Sequence, residues 1–385
     1  MSRAGSVKQV APGNWMFVVD VRPPGGTRKQ LRQRGFANKD EAQRALNKVN
    51  VAVDEGTFSA PTKATVAEFF EEWLVTIEPT VRPSTLHSYS RNVKLHVLPH
   101  LGDLRLAAVD AGTLNRLYAE LLARGNKGHG SGGPLSPRTV QYVHTILHRA
   151  FKNAVKWGRL PVNPADAADP PKATAAPKAG IKTWEPETVT KFLALSAGEG
   201  DRYEALWVLL ATTGMRRGEA LGLRWSDLAL DAGQASIRQT VIAVGHKVQF
   251  GTPKTAKGVR SVALDAGTVA KLRAHRARQL EERMLMGPGW ADHDLVFCKV
   301  EGHPFQPERV SREFDRRVLR WKLPKITLHG LRHTWATLAL QAGVHPRVVQ
   351  ERLGHSTIGI TLDTYSHVTA GMQEDAAATV AALFL

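Results

Sequence analysis

A chain of 385 residues with 52 Lys and Arg against 35 Asp and Glu, a formal charge of +17, is too long for one ordinary domain and is biased toward a polyanionic partner, since each cation laid on a phosphate releases a condensed counterion. Its single cysteine, Cys298, excludes an intramolecular disulfide and a cysteine-rich zinc site, and the apolar string Leu295-Val296-Phe297 before it predicts a buried, inert thiol. No uninterrupted apolar run is long enough to span a bilayer, and Met1 to Val10 lacks the apolar core of a signal peptide, so no membrane association is expected and the expected location is cytoplasmic, with the nucleoid. A merely basic soluble protein would carry the same charge, so motifs must decide.

Along the chain, Trp15-Met16-Phe17-Val18-Val19-Asp20-Val21 predicts a strand, Pro23-Pro24-Gly25-Gly26 a turn, and Arg28-Lys29-Gln30-Leu31-Arg32-Gln33-Arg34 a second, very basic strand. Asn38 caps a helix with Ala42, Leu46 and Val49 on one face. A sheet presenting Arg28, Lys29, Arg32 and Arg34 can lie in a DNA major groove; a solvated charged hairpin is the alternative. Residues 56–64, with Pro61, read as a linker. Four helical patterns follow. The first carries Val66, Phe69, Phe70, Trp73 and Leu74, and the second runs from Pro83 through Tyr89, Val93 and Leu95. The third begins at Ala111 with Leu117, Tyr118, Leu121 and Leu122. After a glycine-rich loop at 125–134, Ser136 caps the fourth, with Val140, Val143, Ile146, Leu147 and Phe151. Its Arg138, Arg149, Lys152 and Lys156 either line a DNA surface or form a solvated face. Residues 163–179 are poor in large apolar side chains, and Asp169-Pro170-Pro171-Lys172 cannot be helical.

The expected architecture is multidomain α+β. A small N-terminal three-stranded sheet plus helix occupies residues 1–60, an all-α four-helix domain 65–165, and a linker 166–180. A mostly α domain with a small antiparallel sheet occupies 181–385. In that last domain a buried helix over 201–211 ends at Thr212-Thr213-Gly214, and another starts with Met215-Arg216-Arg217-Gly218-Glu219. An arginine beside a helix start can join backbone N–H groups that favour an anion; a surface arginine with a capping Glu219 is the plain reading. Strands at 236–244, 247–250 and 260–264 flank a turn carrying Lys254, which either reaches a leaving oxygen or is a solvated turn lysine. In Thr327-Leu328-His329-Gly330-Leu331-Arg332-His333, His329 and Arg332 stand one helical turn apart and can face one anion. Leu353-Gly354-His355 and Thr361-Leu362-Asp363-Thr364-Tyr365 follow. His329 and His333 also have the spacing of a zinc-protease helix, but Gly330 stands where the catalytic carboxylate belongs and Arg332 puts positive charge between them, so no metal is expected.

These strings, in this order, resemble the tyrosine recombinase (phage integrase) family. Thr213 through Leu221 looks like the first arginine box, Pro253-Lys254-Thr255 like the lysine hairpin, and His329 through His333 like the His-x-x-Arg box. Leu353-Gly354-His355 and Thr364-Tyr365 look like the remaining two. Gly218 stands where many relatives have Ser, a tolerated departure. The helical segment resembles the SAM-like core-site DNA-binding domain, and the small sheet the arm-site DNA-binding domain of integrases from phages and conjugative transposons.

The resemblance implies a site-specific DNA strand transferase with type IB topoisomerase-like chemistry, which cleaves and rejoins DNA through a 3′-phosphotyrosyl link to Tyr365. Arg216 and Arg332 then suit the two non-bridging oxygens, Lys254 the departing 5′-oxygen as general acid, and His329 the tyrosine proton or the phosphate; His355 donates a further hydrogen bond. It implies no cofactor, neither metal nor ATP. The expected partners are double-stranded DNA attachment sites, a homotetramer exchanging strands through a Holliday junction, and accessory DNA-bending and excision factors. The tail, with Val380, Leu383 and Phe384, suits a short amphipathic helix docking on a neighbour or on its own domain. A chromosome-dimer-type resolvase and a non-catalytic DNA-binding regulator are the alternatives.

Overall fold

A computed structural model describes residues 5–21, 29–54, 63–125, 133–172, 182–245, 247–253, 258–359, 361–362, 381–382 and 384. The chain forms two compact units, Met1–Lys178 and Ala179–Leu385.

The first unit opens with an antiparallel meander of β1 (Ser6–Ala11), β2 (Asn14–Val21) and β3 (Lys29–Phe36). Alternate residues of β2, Phe17, Val19 and Val21, are buried and pack with Leu46 of α1 (Lys39–Asp54). This is the period-two pattern of a half-buried strand. Asn38 caps α1 as expected, its Oδ1 accepting from Glu41 N at 2.8 Å, while Glu41 accepts from Ala37 N at 3.0 Å. The pairings Met16↔Arg34 and Val18↔Arg32 put both arginines on the sheet face opposite that core, where both are exposed. Lys8 pairs with Met16 on the same face. Arg28 lies outside the described residues, as does the side chain of Lys29.

A second core in this unit belongs to helices. α2 (Val66–Ile77) starts on a full capping box between Thr65 and Glu68, and α3 (Pro83–Asn92) runs through a π-helical turn, Val93–Val97, into α4 (Leu98–Leu101). That turn corrects the expected stripe: Val93 and Val97 are buried and Leu95 is 39% exposed. Residues two apart point to opposite sides of a helix, so Leu95 faces out while Val97 follows Val93 inward, and Pro99 then starts the next helical piece. α5 (Ala111–Arg124), capped by Asp110, and α6 (Pro137–Lys156), capped by Ser136, complete the bundle. Phe69, Phe70, Trp73 and Phe151 fill its centre, and Trp73 Nε1 donates to Asn153 at 3.0 Å.

The segment expected to be linker from 166 is anchored for its first residues. Ala165 and Ala168 enter the helical core, and Asp169 N donates to Asn115 Oδ1 at 2.8 Å. Residues 173–181 are outside the described set.

The second unit packs α7 (Pro186–Gly198), α8 (Glu204–Thr213), α9 (Arg217–Leu221), α10 (Ala266–Met286), α11 (Pro307–Arg320) and the start of α12 (Leu328–Gln341) around Trp184, Phe192, Trp207 and Phe314, while α13 (Pro346–Leu353) forms a smaller core with the rest of α12 through Ala336, Leu340, Val349 and Leu353. The expected strand over 236–244 is two strands in two sheets. β5 (Gln234–Ile237) lies between β4 (Leu228–Ala229) and β8 (Arg260–Ala263), whereas β6 (Thr240–Val244) pairs with β7 (Lys247–Gly251). The break falls at Arg238-Gln239, where Gln239 turns its amide to Gly222 O at 2.9 Å.

Candidate active site

The site is organised by the end of a helix. α13 stops at Gly354, whose φ of 67° is a left-handed conformation that lets the chain leave sharply. The last carbonyls of a helix have no partner within it and carry the negative end of its dipole. Here three successive ones accept from three different arginines. Arg260 Nε donates to Arg352 O at 2.7 Å, Arg332 Nη2 to Leu353 O at 2.7 Å, and Arg216 Nη2 to Gly354 O at 3.1 Å.

Each arginine is placed by its own element. Arg216 is the residue before α9, extended at φ −68° and ψ 145°. Glu219 reaches back to its backbone N–H at 2.9 Å and holds Nη1 at 2.8 Å. Arg332 lies on α12, whose start is capped by Thr327, and is 3% exposed; its Nη1 donates to Gly214 O at 2.8 Å, at the end of α8. Arg260 opens β8 and forks onto both Glu219 oxygens, at 3.1 and 2.9 Å. Burial pushes the Glu219 carboxyl up, but the hydrogen bonds and charge of Arg260, then the charge of Arg216, overcome this and leave it below the usual carboxylate range.

The histidines line the same cluster. His329 and His333 meet edge to face with ring centroids 4.9 Å apart, and His355 Nδ1 lies 2.9 Å from Thr361 Oγ1. Desolvation, then His333, Arg332, Arg216 and Arg217, pull His329 down to about 4, although its outer edge is open to solvent. Desolvation, then Arg332, Arg216, His333 and Arg260, hold His355 at about 4 as well. Both rings are therefore neutral at pH 7, beside guanidinium groups that stay charged. The arrangement suits an anion with a developing extra charge, and a neutral imidazole there can accept a proton.

The structure thus brings Arg216, His329, Arg332 and His355 together. Lys254 and Tyr365, and nearly all of the tail, lie outside the described residues. Sequence reasoning missed Arg260 and gave Glu219 only a capping role; the available signal was a charged residue at the start of a strand directly after the lysine turn. Among the described residues, no group of three or more His, Cys, Asp or Glu is arranged to hold a metal ion. Cys298 is buried, with its thiol pushed up to about 11 by desolvation. In the helical part, Arg138 and Lys152 are exposed on the α6 face opposite the core. Arg149 on that face is partly engaged by Tyr89, 5.6 Å above its ring.

Three family models match in chain order: an arm DNA-binding domain at residues 6–53, the N-terminal SAM-like domain of phage integrases at 65–122, and the phage integrase family at 183–372. A tyrosine recombinase XerC-like protein of Caldanaerobacter subterraneus subsp. tengcongensis is 25% identical over 338 residues, covering 83% of this chain and 84% of its own. An integrase of Streptomyces ambofaciens is 29% identical over 347 residues, covering 88% and 85%. The fold is shared with the Tn1549 transposon integrase solved in complex with a circular intermediate DNA, at a TM-score of 0.65 and 21% identity over 81% of this chain and 99% of that one. With its arm-type sheet, SAM-like helices and arginine–histidine cluster in the family's order, the chain belongs to the phage integrase family of tyrosine recombinases and is a site-specific DNA recombinase.

Proposed function

We propose that this recombinase integrates and excises a phage or other mobile element by cutting double-stranded attachment sites through Tyr365. The tyrosine oxygen attacks phosphorus, the bond to the 5′-oxygen breaks, and a 3′-phosphotyrosyl link and a free 5′-hydroxyl result, as in type IB topoisomerase chemistry. The reverse attack by a partner strand's 5′-hydroxyl restores the backbone. The covalent link conserves the bond energy, so the cycle runs without ATP. A free tyrosine titrates near about 10, so its proton must leave during attack; His329 takes it, and Lys254 gives one to the departing oxygen. Arg216 and Arg332 hold the non-bridging oxygens, His355 donates a further hydrogen bond, and the guanidinium charge does the work a metal would otherwise do.

The observation that carries this reading is the trio of arginines fixed on the carbonyl end of α13 beside two neutral histidines. A non-catalytic regulator has no use for such a cluster. On DNA, the outer face of the N-terminal sheet, with Arg32 and Arg34, meets the arm sites, and α6, with Arg138 and Lys152, meets the core sites. Four copies assemble on two sites in the cytoplasm, with bending and excision factors setting direction; the arm sheet favours a mobile-element integrase over a chromosome-dimer resolvase.

The test is incubation with a nicked duplex carrying the element's junction sequence, in EDTA. A denaturation-resistant protein–DNA adduct supports the proposal. Specific binding with no adduct, in the presence of every assembled copy and bent site, refutes it in favour of a regulator.

A further inference from the structure

Gly218 lies two residues after Arg216, where a side chain is common in the family, and its position against the β6–β7 hairpin gives it a use. A Cβ on Gly218 would stand 2.6 Å from Thr240 Oγ1 and 2.7 Å from Val241 O. A Cβ on Gly222, one turn later, would stand 2.9 Å from Thr240 Cα and 3.1 Å from Gln239 O. The Thr240 hydroxyl can rotate aside, but the other three contacts are with backbone, so neither residue accepts even an alanine unless β6 moves away. Gln239 Nε2 adds a hydrogen bond to Gly222 O at 2.9 Å, which ties the strand to that face of α9. Val241 is 2% exposed and pairs with Phe250, so β6 cannot shift without taking β7 with it.

The hairpin leads to Lys254. Thr240 pairs with Gly251, the last residue of β7, and Lys254 follows three residues later, within about 10 Å of chain. After residues 254–257, Arg260 is bound by Glu219, which also belongs to α9. One short helix therefore holds β6 ahead of Lys254 and Arg260 after it, with Arg216 at its start.

We infer that Gly218, with Gly222, is a positioning residue: the missing side chains let β6 seat directly on α9, and this standoff sets where Lys254 delivers its proton relative to the phosphate held by Arg216. The inference rests on the reading of Lys254 as general acid. A serine or alanine at 218 lifts the hairpin and slows the step that needs the lysine, while the phosphate-binding arginines keep their places.

A substrate with sulfur in place of the bridging 5′-oxygen separates these effects. A thiolate leaves without protonation, so cleavage of that bond needs no general acid; the phosphorus–sulfur bond breaks and the tyrosine–phosphorus bond forms. On ordinary DNA, Gly218→Ser and Gly218→Ala are expected to form adduct at least about tenfold more slowly, part of the roughly hundredfold or more that a positioned acid contributes. On the bridging-sulfur duplex both are expected to recover to within about threefold of wild type, as is Lys254→Ala. Gly218 variants slowed equally on both substrates, or on neither, beside a rescued Lys254→Ala, overturn the inference alone. A Lys254→Ala variant that sulfur does not rescue overturns the general-acid reading, and the inference with it. Should the Gly218 variants fail to fold, Gln239→Ala loosens the same seam without adding an atom and is expected to show the same recovery on sulfur.

Discussion

Replacing Glu219 by Gln keeps the shape of the side chain and removes its charge. The carboxylate accepts from Arg216 N, Arg216 Nη1 and both terminal nitrogens of Arg260, at 2.8 to 3.1 Å, and the side chains of Glu219 and Arg260 are 4% and 8% exposed. Glutamine offers one acceptor oxygen and turns an NH2 group toward guanidinium donors, so Arg260 is left buried without a counter-charge. Removing one partner of such a pair costs about 3–5 kcal/mol. With a urea slope of about 2 kcal/mol per molar, the unfolding midpoint of this unit falls by roughly 2 M. Urea titration of the full chain, followed through the fluorescence of buried Trp184 and Trp207, reads that midpoint. The sign with pH is fixed by the lowered carboxyl: its stabilisation is complete above the unfolded carboxylate pKa and fades as pH falls through the folded value. The gap between wild type and Glu219→Gln therefore closes in acid. A midpoint within about 0.5 M of wild type at pH 7, or a gap independent of pH, would refute the assignment of a buried ionic clamp.

Further outcomes follow from the same geometry. Arg332→Lys removes the fork joining Gly214 O to Leu353 O, and adduct formation should fall at least about a hundredfold with binding to the site little changed in gel-shift titration. His329 and His355, both at about 4, should leave the cleavage rate flat from pH 6 to 8; an inflection near 6.5 that disappears in His329→Asn would contradict their neutral state. Their effect on stability has the same sign as the Glu219 effect: it is complete above the ordinary histidine value of about 6.5 and is lost as pH falls toward 4. Gly354→Ala forces an L side chain to a φ of 67° and should cost about 1–2 kcal/mol in thermal unfolding, along with cleavage rate, because the carbonyl end of α13 shifts. Thr327→Ala removes the cap on α12, whose Oγ1 accepts from Gly330 N at 3.2 Å, and should cost about 1 kcal/mol.

Legibility in the sequence followed the kind of signal each element carries. Helices with an unbroken apolar stripe, such as α6, were readable because Val140, Val143, Ile146, Leu147 and Phe151 sit at helical spacing and are all buried. α10 was not, because its inward face carries only Leu272 among Thr268, His275 and Gln279, polar groups satisfied by bonds such as Gln279 Nε2 to Val296 O at 3.0 Å. Apolar periodicity is blind to such a face. The π-turn at Val93 and the strand break at Gln239 depend on tertiary contacts that no local pattern announces. In the site, residues joined by short sequence boxes were legible, as with His329 and Arg332 on one turn. Arg260 was not, because its role arises only when β8 and α9 meet across 41 residues.

The most direct test of the central claim is to digest the covalent protein–DNA adduct formed on a nicked site and locate the linkage by mass spectrometry. A nucleotide phosphate on the Tyr365 peptide is expected, and no adduct from Tyr365→Phe. A linkage on any other residue, or an adduct that persists in Tyr365→Phe, would contradict that claim.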